Sequence, residues 1–278
     1  MTNSSSELDN NYTITDLLRV MERLRDPEYG CPWDLQQDFR SIVDSTLEES
    51  YELVSAIEAA DYDHVREELG DVLFQVVFYA QLGREQNLFD FPGIVNTLVE
   101  KLLRRHPHVF ADGAIEGLVA ATTAVDEVAT TWETIKRKER RARAQTGVLD
   151  DVPVNLPALS RAQKISKRAA QVGFDWLDTD GVMAKVEEEL AEFAAARHES
   201  AERAEEELGD LIFTCVNLAR HAGADAETAL RRATLKFERR FTAMEAVLKA
   251  QGMTIAEASA AEREAAWESI KAAPEAPR

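Results

Sequence analysis

Residues 66–74 read REELGDVLF, and residues 205–213 read EEELGDLIF. One helix-length before each lies a second acidic stretch, LEESYELV at 47–54 and EEELAEFA at 187–194. The correspondence continues downstream. Lys101, Arg104 and Arg105 match Lys236, Arg239 and Arg240, and Trp132, Glu133 and Lys136 match Trp267, Glu268 and Lys271. These downstream pairs share a single offset of 135 residues, while the acidic stretches sit 139 or 140 apart, a drift that small loop deletions explain. Agreement in residue type, order and spacing marks an internal duplication, and a repeat of this length sets the architecture before any single motif is read.

Outward from the repeat, the apolar spacing is helical throughout and no alternating β-branched run competes with it. The periodicity predicts helices over 14–25, 41–60, 64–86, 93–105 and 126–143 in the first copy. In the second copy it predicts 158–170, 180–197, 201–221, 225–250, 255–261 and 263–272. The stretches VLFQVVFYA (72–80) and LIFTCVNLA (211–219) are apolar nearly all round, so each is expected at the buried centre of its bundle. Residues 111–125 have no clear period and read as a connecting loop, and the proline-containing GVLDDVPVNLPALS (147–160) reads as a linker. The basic run KRKERRARAQ before it reads as a solvated helix end, and residues 1–11 and 272–278 as frayed ends. The expected fold is therefore all-α: two tandem helical bundles, 12–143 and 160–272, joined by a Pro-containing linker at 144–159.

At 278 residues the chain has room for two cores. Lys and Arg number 32 against 51 Asp and Glu, a net charge of −19, which disfavours a nucleic-acid polymer as partner but leaves room for a free nucleotide in a locally cationic pocket. No stretch approaches the roughly 20 apolar residues of a membrane span. The start, MTNSSSELDNNYT, lacks the basic and apolar regions of a signal peptide, and Cys31 and Cys215 lie far apart, so a reducing cytoplasm is expected.

The chemistry resides in the acids. Glu49 with Glu52 and Glu68 with Asp71 are each three residues apart, as are Glu189 with Glu192 and Glu207 with Asp210. That spacing puts each pair on one helix face, so two packed helices can bring four carboxylates around a small volume. Glu68 and Asp71 immediately precede the most apolar stretch of their helix, as do Glu207 and Asp210. Charges at such a place need compensation, and clustered carboxylates either take up protons or bind cations. An all-oxygen set suits Mg²⁺, with Mn²⁺ as the alternative, rather than zinc. Gly70 and Gly209 recur inside these helices and suggest a close helix approach. Lys236 with Arg240 and Trp267 with Lys271 lie four apart on helical faces, suited to a polyphosphate and a base, or to solvent and core. His106 and His108, around Pro107, read as a structural loop.

At these residues the sequence resembles the MazG family of all-α nucleoside triphosphate pyrophosphohydrolases. The EExxE and ExxD pattern stands as Glu48-Glu49-x-x-Glu52 with Glu68-x-x-Asp71, and again as Glu188-Glu189-x-x-Glu192 with Glu207-x-x-Asp210. GCPWD (30–34), RRHPHVF (104–110), WETIKRKE (132–139), VPVNLPAL (152–159), KISKRAAQVGFDW (164–176) and RRATLKFERRF (231–241) extend it over nearly the whole chain. The resemblance implies Mg²⁺-dependent hydrolysis of NTPs and dNTPs to monophosphate and pyrophosphate, dimers, and a place in nucleotide-pool clean-up. It implies Glu189, Glu192, Glu207 and Asp210 as metal ligands, with Glu49, Glu52, Glu68 and Asp71 as their first-copy counterparts. It implies Lys236, Arg240, Trp267 and Lys271 as nucleotide contacts, with Lys185 near phosphate; Glu188, which adjoins a ligand acid without needing to be one, is the candidate to orient or deprotonate water, or else faces solvent. The first copy departs from the pattern. Gln37-Asp38-Phe39-Arg40-Ser41-Ile42 replaces the expected run after GCPWD, and Ser45 stands where the second copy has Lys185. The second copy is therefore expected to be the active one. Two rivals are a di-iron bundle, which would want Glu-x-x-His that neither copy has, and a non-catalytic nucleotide-sensing or partner-binding bundle.

Overall fold

The computed structural model describes residues 12–117, 124–142 and 147–272. Among these residues there are eleven α-helices, a short 3-10 turn at Ala111–Gly113 and no strand. The chain divides into two compact units, Met1–Ile135 and Lys136–Arg278.

In the first unit, α1 (Ile14–Leu24) begins at a capping box, in which Thr13 and Asp16 satisfy each other's backbone amides. The helix packs on α4 (Tyr62–Glu85), which also packs on α3 (Val43–Ala59) and α5 (Phe91–Arg105). Met21, Ile42, Val77, Phe78 and Leu82 form the core of this unit, with Phe39, Phe74, Tyr79 and Phe91 around them. The short α2 (Pro32–Gln36), with proline at its first position, was not legible as a helix because it spans little more than one turn. Arg25, at the end of α1, ties this region to α4: its guanidinium donates to both carboxylate oxygens of Glu85 at 2.8 and 2.7 Å. It also donates to the backbone oxygens of Asp34 and Gln37.

In the second unit, α8 (Thr179–Ala196) and α9 (Ala201–His221) form the principal pair, as α3 and α4 do in the first. Asp178 caps α8 and Ser200 caps α9. Helix α7 (Ala158–Ala170) packs on α9, and α10 (Ala226–Ala250) packs on α7 and on α11 (Ala260–Ala272). A second core, Met244, Leu248, Ala258 and Ala266, sits between α10 and α11 with Phe241 and Trp267 packed against it. Helix α6 (Val125–Ala142) spans the division between the units.

Three expectations are corrected. Residues 255–259 form turns rather than a helix, and Ala260 and Ala261 belong to α11, with Thr254 bonding Glu257 and Ser259 capping α11 through Glu262. The central helices are not buried all round. Val77, Phe78, Val216 and Asn217 are buried, but Leu73, Val76, Ile212 and Phe213 are exposed. Gly70 and Gly209 mark no close approach, since a Cβ at either would meet nothing within 4 Å. The expectation of frayed ends at 1–11 and 272–278 falls outside the described residues, apart from Ala272, which closes α11. The same holds for parts of the basic run and of the 111–125 connection.

Candidate metal centre

Each principal helix pair brings acids from two helices to one place. Glu49 from α3 meets Glu68 and Asp71 from α4, and Glu189 from α8 meets Glu207 and Asp210 from α9. Within each trio, one carboxylate oxygen per residue lies within 4.8 Å of the others. Glu68, Glu189 and Glu207 are buried, while Asp71 and Asp210 are exposed, so each group opens to solvent on one side. The sequence expectation of four acids per site is met in position by three. Glu52 and Glu192 lie one turn further along α3 and α8, exposed and outside the trios.

Charge within the groups is only partly compensated. Oε2 of Glu68 and Oε2 of Glu189 are buried and have no hydrogen-bond partner. An orphaned, buried carboxylate oxygen beside two further carboxylates is costly unless a cation completes it. Burial, and after it the neighbouring Asp71, Glu52 and Glu68, hold the Glu49 carboxyl above the ordinary range. The donor set is all oxygen, the preference of a hard divalent ion. Both groups can therefore hold a metal ion.

What surrounds the trios differs between the units. Lys185 donates to Glu188 at 2.8 Å and to Glu189 at 2.9 Å, one turn along α8. Arg203 on α9 donates to Glu206 at 2.5 Å and also to the buried Glu207. In the first unit, His64 stands at the place of Arg203 and lies 2.6 Å from Glu68. Arg203 was missed in the sequence. The signal was available, because a cation four residues before a ligand acid lies on the same helix face.

The remaining predicted residues lie on α8, α10 and α11. Glu188 is exposed and takes one hydrogen bond, from Lys185. Lys236 is exposed on α10, and Arg240 is half-buried one turn on. The Trp267 ring lies 5.5 Å from Phe237 and packs against the α10–α11 core, while Lys271 pairs with Glu268. Trp267 thus anchors α11, as Trp132 meets His106 edge-on at 4.9 Å in the first unit. His106 and His108 sit 5.7 Å apart beside that tryptophan, with His106 Nδ1 at 2.7 Å from the Leu102 carbonyl, in a structural turn.

Comparison with known proteins gives a consistent picture. The family described as "MazG nucleotide pyrophosphohydrolase domain" matches residues 37–110 and 178–243, the two segments that carry the trios. The chain is 50% identical over 261 residues to the nucleoside triphosphate pyrophosphohydrolase of Escherichia coli K12, covering 93% of this chain and 97% of that one. It is 42% identical over 256 residues to the nucleoside triphosphate pyrophosphohydrolase/pyrophosphatase MazG of Thermotoga maritima, covering 92% and 94%. It is 40% identical over 256 residues to the Bacillus subtilis protein YabN, of which it spans 50%.

Proposed function

The chain belongs to the MazG nucleotide pyrophosphohydrolase family, and from that premise we propose that it hydrolyses nucleoside triphosphates to monophosphates and pyrophosphate, in a Mg²⁺-dependent reaction centred on its second module. The observation that carries this reading is the trio of Glu189, Glu207 and Asp210, an all-oxygen group in which Oε2 of Glu189 is buried and unpartnered. Glu189, Glu207 and Asp210 would hold the ion, and Glu192, one turn beyond Glu189 and open to solvent, is placed to join once a ligand arrives. Mn²⁺ would substitute, since it accepts the same ligands. Divalent ions at such a site lower the pKa of water and neutralise phosphate charge.

The chain's own groups divide the rest. Glu188, exposed beside the ligand Glu189, orients the attacking water or accepts its proton. Lys185, Lys236, Arg240 and Lys271 supply the cations that a polyphosphate requires on a chain of net charge −19. Trp267, held against Phe237 with ring centroids 5.5 Å apart, offers an aromatic ring to a base or ribose. The first module, 12–143, keeps a complete trio but has Ser45 in place of Lys185, so it binds the ion without turning over nucleotide. The second, 160–272, is the catalytic one, and 144–159 joins them.

The working form is a homodimer in the cytoplasm that does not bind nucleic-acid polymers. Leu69, Leu73 and Val76 form an exposed apolar stripe on α4, 52%, 39% and 37% exposed, and Leu208 and Ile212 repeat it on α9. Apolar stripes of this kind on helices mark association surfaces. No helix among the described residues is long and apolar enough to cross a membrane.

Pyrophosphate release from a mixed NTP pool with Mg²⁺ tests the activity. Glu207→Gln and Asp210→Asn should abolish it while far-UV circular dichroism stays unchanged. Undiminished turnover in either variant would reject the site.

A further inference from the structure

The buried acids of the second module are not waiting bare. Lys185 Nζ lies 2.9 Å from Glu189, and the Arg203 guanidinium reaches Glu207, so each buried glutamate of that trio already holds a cation one helical turn away. The first module differs at both places: Ser45 replaces Lys185, and the weaker base His64 replaces Arg203. Both second-module cations belong to long, flexible side chains, and their side chains are 31% and 49% exposed, so an incoming anion can reach them. A divalent ion entering the trio meets these two positive charges on the carboxylates it needs. A nucleotide brings phosphate oxygens, for which guanidinium and ammonium groups are strong partners.

We propose that Lys185 and Arg203 are resident counter-ions that exclude a divalent ion from the second trio until a nucleotide's phosphates draw them away. Ion and nucleotide then bind interdependently there, each raising the affinity of the other by the same factor. The first trio, lacking both cations, takes its ion without nucleotide. This inference rests on the reading of the second trio as a metal site and adds to it a role for Arg203, a residue outside the expected nucleotide contacts.

The test is a titration of Mn²⁺ into the full chain, with free ion followed by electron paramagnetic resonance. A Glu68→Gln, Asp71→Asn background silences the first trio, and Glu189→Gln added to it sets the baseline for ions on the acidic surface. Titrations are run with and without a nucleoside triphosphate analogue whose α–β bridging oxygen is replaced by methylene. The second trio should bind Mn²⁺ about tenfold more tightly with the analogue, within the ordinary range of coupling between sites. Lys185→Met and Arg203→Met, each checked for unchanged helicity, should tighten binding without the analogue and shrink its effect. Equal affinity with and without analogue overturns the proposal, as does coupling that survives both substitutions. If Mn²⁺ never exceeds the Glu189→Gln baseline, even with the analogue, the metal reading itself has failed.

Discussion

The two carboxylate trios share a framework and differ in their counter-charges. Both set one acid from the shorter helix of a pair against two from the longer, and both bury an oxygen with no partner, on Glu68 in one and on Glu189 in the other. In the first module nothing cationic stands at residue 45, and the Glu49 carboxyl is pushed up by burial and by its acidic neighbours. In the second module Lys185 bridges Glu188 and Glu189, and those two carboxylates hold its proton more firmly than usual. Duplication thus preserved the acidic trio in both copies, while the residues one turn earlier on each helix diverged. On the reading proposed above, the acids decide whether an ion fits and the cations beside them decide what must accompany it.

The largest effect should come from breaking one trio at a time. Glu207→Gln or Asp210→Asn should lower kcat/KM for pyrophosphate release by at least about 100-fold, beyond the range seen when only a ligand's supporting partners are lost. Glu68→Gln or Asp71→Asn should leave it within about threefold if, as proposed, turnover belongs to the second module. Steady-state kinetics on the four single variants checks the contrast, and the reverse pattern would assign catalysis to the first module. A smaller effect should follow from transplanting the counter-ions. Ser45→Lys with His64→Arg gives the first trio the charges of the second, and should weaken its nucleotide-free Mn²⁺ binding by about tenfold, the scale of effects from residues beside a metal. Calorimetry in a Glu207→Gln, Asp210→Asn background would measure it.

Much of this contrast was legible in the sequence. The i,i+3 acids and the repeat specified the helix pairs and their meeting point, because spacing on a helix fixes which side chains share a face. The substitution of Ser45 for Lys185 could likewise be read from the repeat. That three of the four acids meet in each group, and the fourth stands apart, could not be read. Glu52 and Glu192 obey the same spacing as the acids that converge, but convergence also depends on how the partner helix lies, which one helix's period does not contain. Burial was misjudged for a related reason. The stretch 72–80 of α4 is apolar nearly all round, yet a single unit covers only the side bearing Val77 and Phe78, leaving Leu73 and Val76 exposed. Residues 255–261 have helical spacing, but Thr254 captures the Glu257 amide and turns the chain, and the helix starts only at Ala260, where Ser259 caps it.

The modules also differ in how a loop is fastened to the end of the long helix. In the first, Glu85 at the end of α4 receives Arg25, whose side chain is 8% exposed. In the second the charges are reversed: Arg220 and His221 at the end of α9 hold Asp175, at 2.5 to 3.0 Å. The second arrangement also places its cations where the helix dipole favours them. Hydrogen bonds from Arg25 hold the Glu85 carboxyl below the usual range, and those from Arg220, then His221, do the same for Asp175. A carboxyl depressed in the folded state contributes stability that is present above its unfolded pKa, near 3.9 for Asp and 4.3 for Glu, and is lost as pH falls through the folded value. Asp175→Asn and Glu85→Gln should each destabilise at neutral pH by about 1–3 kcal/mol, the scale of a hydrogen bond to a charged group. In urea unfolding the deficit should shrink as pH drops below about 4, where the native carboxyls begin to lose their own advantage. A deficit that does not change with pH would show that packing, not charge, fastens the loops.

The smallest effect concerns the paired glycines, where the modules should behave alike in stability. Gly70 and Gly209 lie inside α4 and α9 one residue before Asp71 and Asp210, and a methyl group at either would touch nothing within 4 Å. Replacing an exposed helical glycine by alanine restricts the unfolded chain and improves helix propensity, so Gly70→Ala and Gly209→Ala should each stabilise by about 0.5–1 kcal/mol. Thermal unfolding would show the rise. Turnover separates the two copies: Gly70→Ala should retain it. A fall confined to Gly209→Ala, in a protein made more stable, would mean that the space beside Asp210 is filled by substrate during the reaction. If both substitutions destabilise, another copy of the chain packs against that space in both modules, and the open face seen in the single chain is an association surface.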